Sequence, residues 1–252
     1  MTLEMILAVA ASPFFGSFIA NFVARFPTGR SVLSGRSACP HCGRQLAIRD
    51  LVPLFSWLSS SGRCRHCRHP IAAFYPLIEL AAVGVALAAA AATSGWLLWA
   101  TCGLGWALIA LAAIDLRHFV LPDGLTLPLI PAGLAVAYVQ EPTDLVMHVI
   151  GALAGYLLFV LIRELYFRLR AREGLGLGDA KLLAACGAWS AWQSLPGIIL
   201  VAAAVGLAIA LAGRLFSRPL RLSDRMPFGA FLCLALWLDW ICGPIRPDWV
   251  TP

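Results

Sequence analysis

Apolar runs recur along this chain from Ile6 to Gly243, separated by short stretches that carry arginine. A helix rises 1.5 Å per residue, so about 20 apolar residues cross the hydrocarbon of a bilayer. Several runs approach that length. Of the 252 residues 60% are hydrophobic and 13% charged, where a soluble domain carries roughly 25% charged residues. The pattern predicts an all-α fold, a polytopic transmembrane helical bundle of about eight spans. Helices are expected near 3–23, 73–93, 95–114, 124–140, 145–163, 179–194, 196–213 and 227–243. Pro128 and Pro131 are expected to bend the fourth span or delay its start. The run Ile6–Val23 has only Glu4 before it and no basic stretch, so it reads as a span rather than a signal peptide.

The net charge of +6 is almost entirely arginine, and Lys181 is the only lysine. Eight arginines lie between Arg25 and Arg68, against the single acid Asp50. Arg163, Arg168, Arg170 and Arg172 form a second cluster, and Arg214, Arg218, Arg221 and Arg225 a third. These clusters border apolar runs, so the bias of lysine and arginine toward cytoplasmic loops explains them better than nucleic-acid binding does. With the Arg25–Arg68 loop in the cytoplasm, the N-terminus lies outside and all three basic stretches fall on one side.

That first loop contains Cys39-Pro40-His41-Cys42 and Cys64-Arg65-His66-Cys67, with 21 residues between Cys42 and Cys64. Each CxxC offers two thiolates from a tight turn, and four thiolates suit tetrahedral zinc. The loop has little apolar mass, so metal would supply much of its folding free energy. Disulfides and metal-free knuckles are the competing readings, the former disfavoured in a reducing compartment. His41, His66 and His69 are surplus to a completed four-thiolate shell. Cys102, Cys186, Cys233 and Cys242 are scattered singles, read as small buried hydrophobes.

Two aspartates stand where apolar runs meet polar stretches: Asp115 in Ile114-Asp115-Leu116-Arg117, and Asp179 in Gly176-Leu177-Gly178-Asp179. A carboxylate at that depth is costly and marks function by default. The predicted topology puts both at cytoplasmic ends of their spans. Two close carboxylates that share one proton can activate water with one oxygen and polarise a peptide carbonyl with another. The alternatives stay open on residues alone. Asp179 or Asp123 would serve as helix caps, Asp115 would pair with an arginine, or the acids would line a proton or cation pathway. Glu79, near the start of the second span, would anchor the cysteine loop or line a ligand site.

Taken together these segments resemble the type IV prepilin leader peptidases, the GxGD-type membrane aspartic proteases. The resemblance runs through Gly16-Ser17-Phe18, Arg25-Phe26-Pro27, both cysteine knuckles, Pro53-Leu54-Phe55-Ser56-Trp57-Leu58, Tyr75-Pro76-Leu77-Ile78-Glu79, Leu121-Pro122-Asp123 and Gly176-Leu177-Gly178-Asp179-Ala180-Lys181. It implies catalysis by Asp115 and Asp179 and cleavage of basic leader peptides from prepilins or pseudopilins. It places the enzyme in the bacterial inner membrane, surrounded by lipid, with its active site at the cytoplasmic face. It further implies methylation of the new N-terminus with S-adenosylmethionine, linked to residues 1–94, and a peptidase domain over residues 95–252. The substrate's acidic residue would contact Arg172 or Lys181. Three positions depart from the family pattern: Ala20 with Asn21 one place later, Arg44, and Arg68-His69 where a glycine is common. A non-proteolytic assembly or transport protein on the same scaffold is the alternative reading.

Overall fold

The computed structural model describes residues 2–26, 38–39, 41–47, 50–170, 176–215 and 226–243. Arg172, Arg218, Arg221 and Arg225, singled out above, lie outside them. The order is α1 (Leu3–Arg25), α2 (Phe55–Ser59), α3 (Phe74–Ala92), α4 (Trp96–His118), α5 (Asp123–Gln140), a 3-10 turn (Pro142–Asp144), α6 (Leu145–Arg170), α7 (Leu177–Leu215) and α8 (Phe228–Cys242). Among the described residues extended pairing is limited to two isolated bridges in the cysteine loop. Five helices, α1, α3, α4, α6 with its preceding turn, and α7, are long and apolar enough to cross a membrane. Eight such spans were expected. The difference lies in α5 and α8, which have 18 and 15 residues, and in α7, whose two limbs on either side of a break at Ala191 correspond to the two spans expected at 179–194 and 196–213.

The described residues form two compact units, divided within α4 between Ala110 and Leu111. In the N-terminal unit α1 packs on α3 through small side chains. Ala8, Ala20, Ala82, Ala86 and Ala89 are fully buried, and a Cβ on Gly16 would stand 2.6 Å from the Cα of Glu79. Without a hydrophobic force between helices in lipid, such close backbone approach supplies the dispersion contact that holds them. Pro13 removes the N–H that would reach the Val9 carbonyl. The Ser12 hydroxyl donates to that carbonyl instead, at 2.7 Å, so α1 continues through its proline. Phe15 stacks on Trp106 at 4.1 Å, and the Trp106 indole donates to the Ala82 carbonyl.

The C-terminal unit is built around α7. Gly151 and Gly155 on α6, four residues apart, face Gly187 and Leu183 of α7. A Cβ on Gly187 would fall 2.1 Å from the Gly151 backbone, so the two main chains touch. α5 runs unbroken through Pro128 and Pro131 from a start at Asp123; the expected delay does not occur. α7 breaks at Ala191, whose φ of 59° and ψ of 173° leave the helical region. On the first limb Trp189 meets Trp240 of α8, whereas on the second Gly206 lies against Phe231. Rising sequence in the second limb thus tracks back along α8, and the chain turns over at Ala191.

Outward residues of α6, including Leu157, Leu161, Leu165 and Leu169, are 55–73% exposed. That apolar exterior is what a helix presents to hydrocarbon, and the chain is a membrane protein.

Gly151→Val would press a branched side chain into the Gly187 backbone. It is expected to destabilise the detergent-solubilised protein by about 3 kcal/mol, read as a lowered thermal midpoint. Gly84→Ala, at a position with open space around it, is expected to leave the midpoint unchanged.

Candidate active site and metal centre

Asp115 occupies the last turn of α4 and is 5% exposed. Its Oδ2 accepts the Ala230 amide at 2.9 Å, and the Gly229 amide points at the same carboxylate. Those N–H groups belong to the first turn of α8, where a helix has no internal acceptors and carries partial positive charge. Asp115 therefore caps α8 from another helix. Gly229 makes the approach possible, since a Cβ there would meet Asp115 Oδ2 at 3.0 Å and Leu121 Cδ1 at 2.7 Å.

Asp179 is the third residue of α7 and half-buried. Its Oδ2 accepts the Gly176 amide at 3.2 Å, and its own N–H donates to the Gly176 carbonyl. This is the reach-back half of a capping box, the side chain at the third position satisfying the amide at the cap. Asp179 thus has a capping role, though not as the cap residue itself. Gly178 abuts Leu121, with only 2.8 Å available to a Cβ. Leu121 is wedged against both glycines. Asp115 and Asp179 lie near enough for the charge of one to act on the other.

Asp123 is exposed and does not cap α5; Pro122 holds the cap position and makes no side-chain bond. Its carboxylate pairs instead with Lys181 Nζ at 2.6 Å, tying the first turn of α5 to the first turn of α7. Gly229 and Ala230 escaped sequence reasoning altogether. Their signal was Pro227-Phe228-Gly229 opening an apolar run, the composition of a helix start.

The four loop cysteines come together. The sulfurs of Cys39, Cys42, Cys64 and Cys67 all lie within 4.8 Å of one another, and Cys39 and Cys67 are 3.8 Å apart. A tetrahedral site with metal–sulfur bonds of about 2.3 Å has edges of about 3.8 Å, so the donor set fits a divalent metal that favours thiolates. The cysteines are unbridged. The two knuckles repeat each other at an offset of 25 residues. Cys39 N–H donates to Arg44 O and Gly43 N–H to Cys39 O; Cys64 N–H donates to His69 O and Arg68 N–H to Cys64 O, all at 2.9 Å. Bridges Ala38–Gln45 and Arg63–Pro70 close the turns. The residue after the second cysteine is left-handed in both, Gly43 with φ 68° and Arg68 with φ 59°. Amides of Cys67 and His66 pull the Cys64 thiol down to about 7. Cys67 meets the His69 amide, yet desolvation and the neighbouring sulfurs push it up to about 11. A cation that replaces those protons removes the conflict.

His41 and His69 stack across the knuckles at 4.3 Å, and Arg65 pairs with Asp50 at 2.8 Å. Glu79, 6% exposed, accepts the Leu54 amide at 2.7 Å and interacts with the Ser17 hydroxyl. It anchors the linker between the knuckles to α1 and α3. Cys102, Cys186 and Cys233 are buried as expected, whereas Cys242, at the end of α8, is exposed.

Residues 102–211 match the model of the type IV leader peptidase family, and residues 11–93 that of the bacterial peptidase A24 N-terminal domain. The chain is 49% identical over 199 residues to a prepilin leader peptidase/N-methyltransferase of Burkholderia pseudomallei (strain K96243), covering 78% of this chain and 64% of that protein. It is 42% identical over 216 residues to a protein of the same name from Aeromonas hydrophila, with 85% and 74% covered. A third, from Dickeya chrysanthemi, is 42% identical over 224 residues, with 86% and 78% covered. The chain thus spans 64% of the length of the Burkholderia relative. No solved structure matches.

Arg68→Gly removes the side chain from a left-handed position where a non-glycine residue costs about 1 kcal/mol. The variant is expected to retain bound divalent metal against a chelator about fivefold better than wild type.

Proposed function

Because the chain belongs to the type IV leader peptidase family, we propose that Asp115 and Asp179 form the dyad of a membrane aspartic endopeptidase that removes leader peptides from prepilins or pseudopilins. The observation that supports this best is the pairing itself. Two carboxylates, each held through Oδ2 by an amide at a helix N-terminus, lie within electrostatic reach of one another. The second oxygen of each is then the one that works. Carboxylates this near share one proton more readily than they carry two charges. The ionised member draws a proton from water. The protonated member donates to the scissile carbonyl and stabilises the oxyanion as it forms, and the proton from water passes to the leaving amine. The two aspartates act as one titrating unit. Lys181, held by Asp123 beside this site, is the cation within reach for an acidic residue near the start of the mature substrate.

In this reading the enzyme sits in the bacterial inner membrane with its N-terminus outside. The cysteine loop and the dyad then share the cytoplasmic face, and lipid covers the apolar exterior. The basic loops support that orientation. The metal at Cys39, Cys42, Cys64 and Cys67 is zinc, which would cross-link two knuckles that have little core of their own. Residues 1–94 carry methylation of the new N-terminus, with S-adenosylmethionine as donor, and residues 95–252 carry cleavage.

The test is a purified full-length enzyme and a synthetic prepilin peptide. Asp115→Asn and Asp179→Asn each keep an oxygen for the Ala230 or Gly176 amide, so both variants are expected to fold with little change in thermal midpoint. Cleavage should fall by about 100-fold or more. Full cleavage by either variant overturns the dyad. In the same assay, a product heavier by one methyl group when S-adenosylmethionine is supplied supports the second activity.

Metal content gives an independent check: one zinc per chain is expected, lost when Cys39 and Cys64 are both replaced by serine. Thiolates must shed protons to bind it, so zinc affinity is expected to fall as pH is lowered, read as faster loss of metal to a chelator in acid.

A further inference from the structure

The link between α4 and α5, residues 119–122, turns one side chain inward. Phe119 and Val120 are 45% and 47% exposed, whereas Leu121 is 8% exposed. We infer that Leu121 is a positioning residue, the spacer that sets how far apart α7 and α8 hold Asp179 and Asp115. The inference rests on the peptidase reading for the reaction, though not for the titration of the two acids.

The link is fixed at both ends. The Phe119 amide donates to the Asp115 carbonyl at 2.9 Å. Phe119 is left-handed there, with φ 55°, a conformation costly for a residue with a Cβ. At the other end Pro122 caps α5, and its carbonyl accepts both the amide and the hydroxyl of Thr126. Leu121 therefore moves with the helix end that bears Asp115. The surfaces that receive it are both glycine. A Cβ on Gly178 would meet Leu121 Cβ at 2.8 Å and Cδ1 at 3.4 Å. One on Gly229 would meet Cδ1 at 2.7 Å and Cδ2 at 3.1 Å. A single methyl carbon thus reaches both helix starts, and each start meets this side chain before it meets the other. The two glycines directly precede the residues that hold the acids. Gly178 is followed by Asp179, and Gly229 by Ala230, whose amide donates to Asp115 Oδ2 at 2.9 Å. Displacing either start carries a carboxylate with it. A leucine packed on side chains can be accommodated by rotamer changes; one packed on main chain cannot, so its volume becomes a distance. The repulsion that governs proton sharing varies with that distance.

The charged and titratable groups around the pair stay in place when Leu121 is changed. Lys181 on α7 and Asp123 on α5 hold each other. Arg117 and His118 end α4. Cys233 follows Ala230 on α8 and lies within electrostatic reach of both acids. On α6 the first charged residues past Phe159, which meets Phe228, are Arg163 and Glu164.

The experiment uses the purified full-length enzyme and two readouts against pH. One is kcat and KM for a prepilin peptide. The other, taken without substrate, is the infrared C=O stretch of protonated carboxyl, assigned by its loss in Asp115→Asn and Asp179→Asn. In Leu121→Ala the helix starts close on the vacated space and the acids approach. The second ionisation then becomes harder, so the upper limb of the kcat profile and the carboxyl band should move to higher pH by about half a unit or more. Gly178→Ala, which presses the α7 start away from Leu121, should move both to lower pH. In Leu121→Ala, kcat is expected to fall at least about tenfold with KM within about twofold. Leu121→Met, of like volume, should keep the wild-type profile. Should the alanine variant fail to fold, Leu121→Val makes the same test in a smaller step. A leucine that merely filled space would lower the fraction of folded enzyme and rescale the profile without moving its limb; that result overturns the inference. So does a shift of the same sign in the alanine variants of Leu121 and Gly178. A raised KM with unchanged kcat overturns it as well and assigns Leu121 to substrate contact. Full cleavage by Asp115→Asn or Asp179→Asn defeats the peptidase reading instead, and the infrared titration then decides the spacer by itself.

Discussion

A carboxylate inside a helical bundle is tolerable only when something polar meets it, and here the start of a helix does so twice. The free amides of a first turn are costly in an apolar setting, and so is a buried acid. Joining them cancels both costs. Asp115 does this across helices, to α8; Asp179 does it within its own helix. The rest of the C-terminal unit is arranged around that joining. Gly229 and Gly178 are glycines because Leu121 and a carboxylate occupy the space a side chain would need. α6 must press on α7 through glycine to hold the first limb where Asp179 points at the site.

Much of this was legible in the residues. Apolar runs located most helix ends to within a few positions, because in hydrocarbon the length of a run is nearly the whole signal; α6 runs seven residues past its expected end, and the short α2 carries no such run. The four cysteines and the two aspartates stood out for the same reason in opposite form: thiolate pairs at fixed spacing, and acids where acids are expensive. What could not be read were features that depend on the partner across a gap. Gly229 looks like any glycine at a helix start until Asp115 is set beside it. Gly151, Gly155 and Gly187 carry no chemistry, yet their backbones touch. The boundary expected between the spans 179–194 and 196–213 falls instead at Ala191. Pro196 is absorbed into helix, while an alanine takes the unusual dihedrals. A cap at Asp123 is one alternative that composition leaves open, and its lysine lies 58 residues away.

The cysteine loop makes the same point on a smaller scale. Its two turns share one hydrogen-bonding plan and one left-handed position, filled once by glycine and once by arginine. The departure noticed in the sequence at Arg68 is therefore a departure in conformational cost rather than in ligand chemistry. Glu79, an ambiguous buried acid on sequence, holds the linker between the knuckles through the Leu54 amide.

The contact between Asp179 and Gly176 has one more consequence. An ionised carboxylate holds an amide roughly twice as strongly as a neutral acid does. Whenever a proton moves onto Asp179, the grip on the first turn of α7 slackens; when it leaves, the turn tightens again. The state of the proton and the order of the helix end are then a single variable. Any exchange of a proton at Asp179 would be accompanied by a breathing of the backbone at Gly176, requiring no separate moving part.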